Sequence, residues 1–236
     1  MSSIIIFGLS LYEIVLYFFI YAFIGWCGEV IYNASATGKF INCGLLNGPI
    51  CPIYGVGAVF LLLCLRSFTD NLIILFIGSF ILLTILEYFT GFLLDKIFHT
   101  KWWDYTSMPF NINGYVCLKY SLIWATGGVI LTNLIHPAIS FFTSLLPVTI
   151  GYILISLFSA LFITDLTVTV MSILRLNKYL IKFSVLSEKL KLSSDGIGTK
   201  LSEDTIELKE KDNNLVNKKI SLVHKRILKA FPNRCV

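Results

Sequence analysis

Glu29, Glu87 and Asp165 lie inside stretches otherwise too apolar to hold a charge. An ionised acid at the centre of a lipid-spanning helix costs at least about 2.5 kcal/mol unless it faces a helix bundle, water or a cation. Such acids bind cations or protons, or tie helices together, and the residues alone leave both roles open. Their neighbours argue for an inward face. Gly25 precedes Glu29 by one turn, Thr84 and Gly91 flank Glu87, and Thr169 follows Asp165 by one turn. Small and hydroxylated side chains of this kind let helices approach and supply hydrogen bonds.

A short pattern then occurs twice. Asn47-Gly48-Pro49-Ile50-Cys51-Pro52-Ile53-Tyr54 and Asn113-Gly114-Tyr115-Val116-Cys117-Leu118-Lys119-Tyr120 both fit N-G-x-[I/V]-C-x-x-Y. Each follows an apolar segment that carries one of the two glutamates. The sequence thus predicts an internal duplication over residues 11–66 and 71–135, each unit being helix, polar loop and second helix. Asn47 and Asn113 suit helix N-caps, with Pro49 in a first turn. On that reading Asn47, Cys51 and Tyr54 share one helical face, as do Asn113, Cys117 and Tyr120. The two helix starts direct partial positive charge at the acids, or at a solute held between them. The cysteines themselves read better as packing residues.

The segment from Lys101 to Gly114 is densely aromatic and polar. Trp102 and Trp103 read as interfacial anchors. Asp104, Asn111 and Asn113 ask for more than anchoring, although they define no catalytic dyad. The expected substrate or ion site therefore gathers Glu29, Glu87, Asp165, Asn47, Asn113, Tyr54, Tyr120, Asp104 and Asn111 in one half of the membrane.

The elements that must position these residues follow from composition. The chain is 56% hydrophobic and 14% charged, with a mean hydropathy of +0.79, which marks a membrane protein. Five apolar stretches match the ~20 residues a helix needs to cross a bilayer. They are Leu11–Tyr32, Gly48–Leu65, Leu72–Leu94, Val116–Ile135 and Leu145–Leu174. The expectation is an all-α membrane domain over 1–174 with five transmembrane helices, followed by a helical tail over 175–236.

Charge orients the chain. Residues 1–174 hold 5 basic and 7 acidic side chains, whereas residues 175–236 hold 14 basic and 7 acidic. Lys39, Lys96, Lys101 and Lys119 cluster on the side of the tail, and Arg66 stands alone on the other. The positive-inside rule then predicts a multi-pass membrane protein with its N-terminus outside and its tail in the cytoplasm. The first span has neither a charged leader nor a small-residue cleavage site, so an uncleaved anchor is expected. Leu176, Tyr179, Leu180, Phe183, Leu186 and Leu190, interleaved with basic residues, predict an amphipathic helix lying on anionic lipid. A break is expected at Ser193–Gly198 and a further short helix near Val216–Ile227. The tail holds no nucleic-acid-binding module, so no such partner is expected.

No C-x-x-C occurs, and His99, His136 and His224 are far apart, so neither a metal site nor a disulfide framework is expected. Nor is there a Walker A loop, H-E-x-x-H or G-x-S-x-G. The chain does not read as an ATPase, a zinc protease or a serine hydrolase, and no cofactor is implied.

Several longer motifs carry a resemblance. They are Gly25-Trp26 with Glu29 and Tyr32, residues 45–57 (LLNGPICPIYGVG), Leu86-Glu87-Tyr88 with Thr90, and Trp102-Trp103-Asp104-Tyr105 followed by Pro109–Gly114. In this order they resemble the CmpB-like family of bacterial ABC-transporter permeases, type IV, over most of residues 12–175. The resemblance implies a permease component that works with a separate ATPase subunit. Five spans are few for a whole permease, so a homodimer or another partner is expected. Two other classes stay open on sequence: a regulatory or scaffolding membrane protein that recruits a partner through its tail, and a membrane-embedded enzyme using Glu29, Glu87 or Asp104.

Overall fold

The computed structural model describes residues 5–38, 42 and 44–193, with side chains described as far as residue 175. The order of elements is a small hairpin (β1, Ile5–Ile6; β2, Leu9–Ser10), then α1 (Leu11–Thr37), α2 (Pro52–Leu65) and α3 (Leu72–Phe98). A second hairpin (β3, Asn111–Ile112; β4, Val116–Cys117) leads into α4 (Leu118–Ile130) and α5 (His136–Ser144), and α6 (Val148–Ser193) follows. A π-helical segment, Leu131–Ile135, joins α4 to α5 without a break. Pro137 explains it: without an N–H it cannot bond the carbonyl four residues back, and the ladder widens to accommodate the ring.

Four helical stretches are long and apolar enough to cross a membrane: Leu11–Thr37, Leu72–Phe98, Leu118–Ser144 and Val148–Arg175. The expected span Gly48–Leu65 is shorter than the other four: its helix opens at Pro52, and with a 3-10 turn at its end it runs over Pro52–Phe68. The 14 residues of α2 cover about 21 Å and the turn Arg66–Phe68 adds about 6 Å, against a ~30 Å core. The physical reason lies in the two prolines. Pro49 and Pro52 each disfavour helical dihedrals in the residue before them, so the chain stays irregular to Cys51. Pro52 then opens the helix at its first position, where its missing amide costs nothing.

Contacts along the helices fix their directions. The Cys51 N–H donates to the Ala22 carbonyl at 3.0 Å, Gly55 faces Phe18, and Arg66 reaches the Gly8 carbonyl, so α2 runs antiparallel to α1. Gly57 faces Leu83 and Leu86 while Gly78 faces Leu65, and Gly128 faces Ser79. Thus α3 reverses α2, and α4 reverses α3. Tyr152 packs on Tyr12, and Phe158 and Phe162 on Phe19, so α6 runs parallel to α1. Glycine at these crossings is what lets the backbones approach: a Cβ on Gly55 would sit 2.5 Å from the Phe18 carbonyl oxygen.

Ala22 lies 15 residues before the end of α1, about 22 Å along the axis. The bond from Cys51 to Ala22 therefore places the start of α2 deep beside the middle of α1. The segment around Leu46 is irregular backbone at membrane depth. Such backbone is tolerated there when protein buries it and satisfies its polar groups. Both conditions hold: Gly44, Leu46 and Cys51 are buried, and Asn42 accepts from the Trp26 indole at 3.1 Å and the Gly44 N–H at 3.1 Å.

The tail is described in part. The helix of the last span continues without interruption to Ser193, as expected of a helix emerging from the bilayer. Side chains beyond Arg175, the expected break at Ser193–Gly198 and the second tail helix lie outside the described residues.

Candidate functional site

Glu29 and Glu87 face one cavity. It encloses about 360 Å³ between α1, α2, α3, α4 and the loop after α3, and both glutamates line it. Tyr54 on α2 donates to Glu29 Oε1 at 3.0 Å. Trp124 on α4 donates to Glu87 Oε1 at 3.1 Å, and Tyr105 from the loop donates to the same oxygen at 3.2 Å. Tyr54 and Trp124 meet edge to face, 5.7 Å between centroids, so the two carboxyl groups are bridged by their own donors. Each glutamate keeps a second oxygen, Oε2, that is buried and without a hydrogen-bond partner. Glu87 is 6% exposed.

Helix starts set this geometry. Cys51 is the N-cap of α2 and Cys117 the N-cap of α4. In each copy of the repeated pattern the tyrosine is thus the third residue of its helix. Tyr54 lies over Gly25, where a Cβ would collide with the phenol ring, and its hydroxyl extends to Glu29. Tyr120 does not reach a glutamate directly. It stacks on Tyr105 at 4.8 Å and 18°, bracing the phenol that donates to Glu87. Burial, reinforced by the Glu87 carboxyl, pushes the Tyr105 phenol up from its ordinary value, which keeps it a donor.

The asparagines do not cap these helices, and here the sequence expectation is corrected. With the helices opening at Pro52 and Leu118, neither Asn shares a helical face with its Cys and Tyr. Asn47 and Gly48 instead enclose Asp165 of α6. The Asp165 carboxylate accepts from the Asn47 N–H at 3.2 Å, its side-chain amide at 2.7 Å and the Gly48 N–H at 2.7 Å, and from the Thr169 hydroxyl at 3.2 Å. Asp165 is absent from the cavity wall; it fastens the irregular segment to α6.

The second copy does something else. Asn113 and Gly114 have positive φ, 54° and 74°, and the Tyr115 N–H returns to the Ile112 carbonyl at 3.1 Å. That is a type I′ turn joining β3 to β4, the use Asn-Gly serves best. Asn113 is exposed and donates to the Tyr88 hydroxyl at 3.0 Å. Asn111 donates to the Met108 carbonyl at 2.8 Å and accepts from the Gly114 N–H. Asp104 accepts from the Thr106 N–H and pairs with Lys101 at 3.7 Å. These three residues shape the loop that carries Tyr105 to Glu87, and none of them lines the cavity.

Trp124, Tyr105 and Trp103 are the residues sequence reading missed. Trp103 lines the cavity and donates to the Tyr115 carbonyl at 2.7 Å. For Trp124 a signal existed: an indole within an apolar stretch, one turn beyond Tyr120, needs an acceptor there.

Comparison with known proteins adds one finding. A family model described as Putative ABC-transporter type IV matches residues 16–170, which contain both glutamates, Asp165 and every residue lining the cavity. No curated protein and no solved structure matches the chain.

Proposed function

We propose that this chain, which belongs to that ABC-transporter type IV family, is a permease subunit of a bacterial plasma membrane and binds its solute between Glu29 and Glu87. The observation that carries this reading is the shared cavity with one unpartnered carboxylate oxygen from each glutamate. Acids kept inside an apolar bundle at such cost mark solute or ion pathways. Sites of this kind lie between the halves of repeat-built transporters. We read α1–α2 and α3–α4 as pseudo-equivalent units, since each opens its second helix on an N-cap cysteine followed by a tyrosine at the third position. Orientation follows the charge: the face holding Lys96, Lys101 and the tail is cytoplasmic, and a separate ATPase subunit docks there.

The test has two parts. Affinity purification of the tagged chain from native membranes brings down a nucleotide-hydrolysing subunit. In proteoliposomes of that complex, ATP drives solute movement that Glu29→Gln with Glu87→Gln reduces by about tenfold or more, one unit on the log scale. Full transport by a folded double variant would leave the glutamates as interhelical glue. Purification with no ATPase would remove the permease reading.

A further inference from the structure

The cavity has a chemistry narrower than polar solute, and we propose that it takes an amphipathic organic cation: an alkylammonium head between Glu29 and Glu87 with its apolar body along α2 and α3. This rests on the cavity being the binding site proposed above. Both Oε2 atoms are buried and unpartnered, and among the described residues no lysine, arginine or histidine lines the cavity to neutralise them. A positive charge is what that end lacks. Tyr54, Tyr105 and Trp124 each already serve a carboxylate oxygen, so an anion beside the glutamates would meet repulsion.

The kind of cation follows from the walls. Tyr54, Tyr105, Trp103 and Trp124 line the same space, and aromatic faces attract cations that shed water easily, quaternary and alkylated ammonium above all. A hard metal ion wants six or more oxygens and keeps its water. Here two carboxylate oxygens stand beside rings and the leucines Leu61, Leu83, Leu86, Leu94 and Leu131. Those leucines suit an alkyl or aryl body, and about 360 Å³ is within the range of small-molecule sites. Gly127 lines the wall while exposed on a spanning helix. That rim opens on the surface lipid would cover, the route for a ligand that partitions into bilayers.

The experiment uses the purified chain in nanodiscs and tryptophan fluorescence, because Trp102, Trp103 and Trp124 all line the cavity. Hexyltrimethylammonium is titrated against 1-hexanol and hexanesulfonate, with empty nanodiscs subtracted. Saturable binding of the cation, at least about tenfold tighter than either control, is expected. Glu87→Gln should weaken it by about tenfold or more, the effect of losing a charge partner in a desolvated site. Gly127→Leu should block it without disturbing the fold, since a Cβ there meets nothing within 4 Å. Equal binding of hexanol or hexanesulfonate, or cation binding indifferent to both variants, would overturn the assignment. If Glu87→Gln fails to fold, Gly127→Leu and Glu29→Gln decide alone. Binding needs no ATPase, so the two readings fail separately. A cation-selective chain with no ATPase partner retains the cavity chemistry and loses the permease. A partnered chain whose cavity ignores charge does the reverse.

Discussion

Each glutamate spends one oxygen on phenol or indole donors, and the donors sit where small neighbours let them. Gly25 makes the plainest case. A methyl group there would collide with the Tyr54 ring, pushing its hydroxyl away from Glu29. Gly25→Ala should lower stability by about 1–3 kcal/mol, the usual cost of overpacking. It should also weaken ligand binding as strongly as Tyr54→Phe. Thermal unfolding in detergent and the fluorescence titration measure the two effects, and an unchanged melting temperature would show that Tyr54 moves freely. Tyr105→Phe is milder. Trp124 still donates to Glu87 Oε1, so a loss of about 1 kcal/mol is expected.

At the scale of elements, two irregular segments do most of the positioning, and each has a residue on which it depends. The Asp165 carboxylate satisfies three N–H groups of Asn47 and Gly48 inside the bundle. Asp165→Ala takes the partner from the half-buried backbone N–H groups of Asn47 and Gly48, while the Asn47 amide keeps the Thr169 hydroxyl at 2.9 Å, and each lost partner costs about 1–3 kcal/mol. A destabilisation of about 2 kcal/mol or more is expected, with proteolysis appearing between α1 and α2. Resistance equal to wild type would mean that the segment is held by other contacts. In the second loop Gly114 has a φ of 74°, and a Cβ would lie 2.6 Å from Asp104 Oδ1. Gly114→Val should open the hairpin and withdraw Tyr105 from Glu87. The expected sign is a change in Trp124 fluorescence along with lower stability. At the start of α1, Ser10 and Glu13 form a reciprocal capping box, and Ser10→Ala should cost about 1 kcal/mol.

Across the whole molecule, α1, α3 and α6 run one way and α2 and α4 the other. The β1–β2 hairpin and the far end of α6 therefore lie at opposite faces. The lysines accompany α6: Lys96 and Lys101 border the loop on its side, while Arg66 is by the hairpin at Gly8. The proposed orientation, with the far end of α6 in the cytoplasm, rests on the positive-inside rule. In intact cells, with native cysteines replaced, a cysteine at Phe7 should react with a membrane-impermeant thiol reagent, and one at Thr100 should react after lysis alone. The reverse pattern would invert the orientation and move the cavity to the outer half of the bilayer.

Composition and apolar run length already determined that the chain is a helical membrane protein. They also located α1, α3 and α6 closely, because burial in lipid leaves a helix no alternative partner for its backbone. The cost of charge in lipid likewise singled out Glu29, Glu87 and Asp165 from 14 acids. Prolines 49 and 52 announced where α2 must start, had their effect on preceding residues been weighed before the asparagine. Pattern could not separate two uses of the same dipeptide. Asn-Gly at 47 wraps a carboxylate and Asn-Gly at 113 turns a hairpin, because dihedrals there are set by what the chain packs against. Tertiary structure alone decided which acids share a cavity. Glu29 and Glu87 lie 58 positions apart, and they meet because glycines at 25, 55, 57 and 128 bring four helices close enough for Tyr54 and Trp124 to touch. Asp165 is separated from them by the carboxylate-binding loop that the two prolines keep out of a helix.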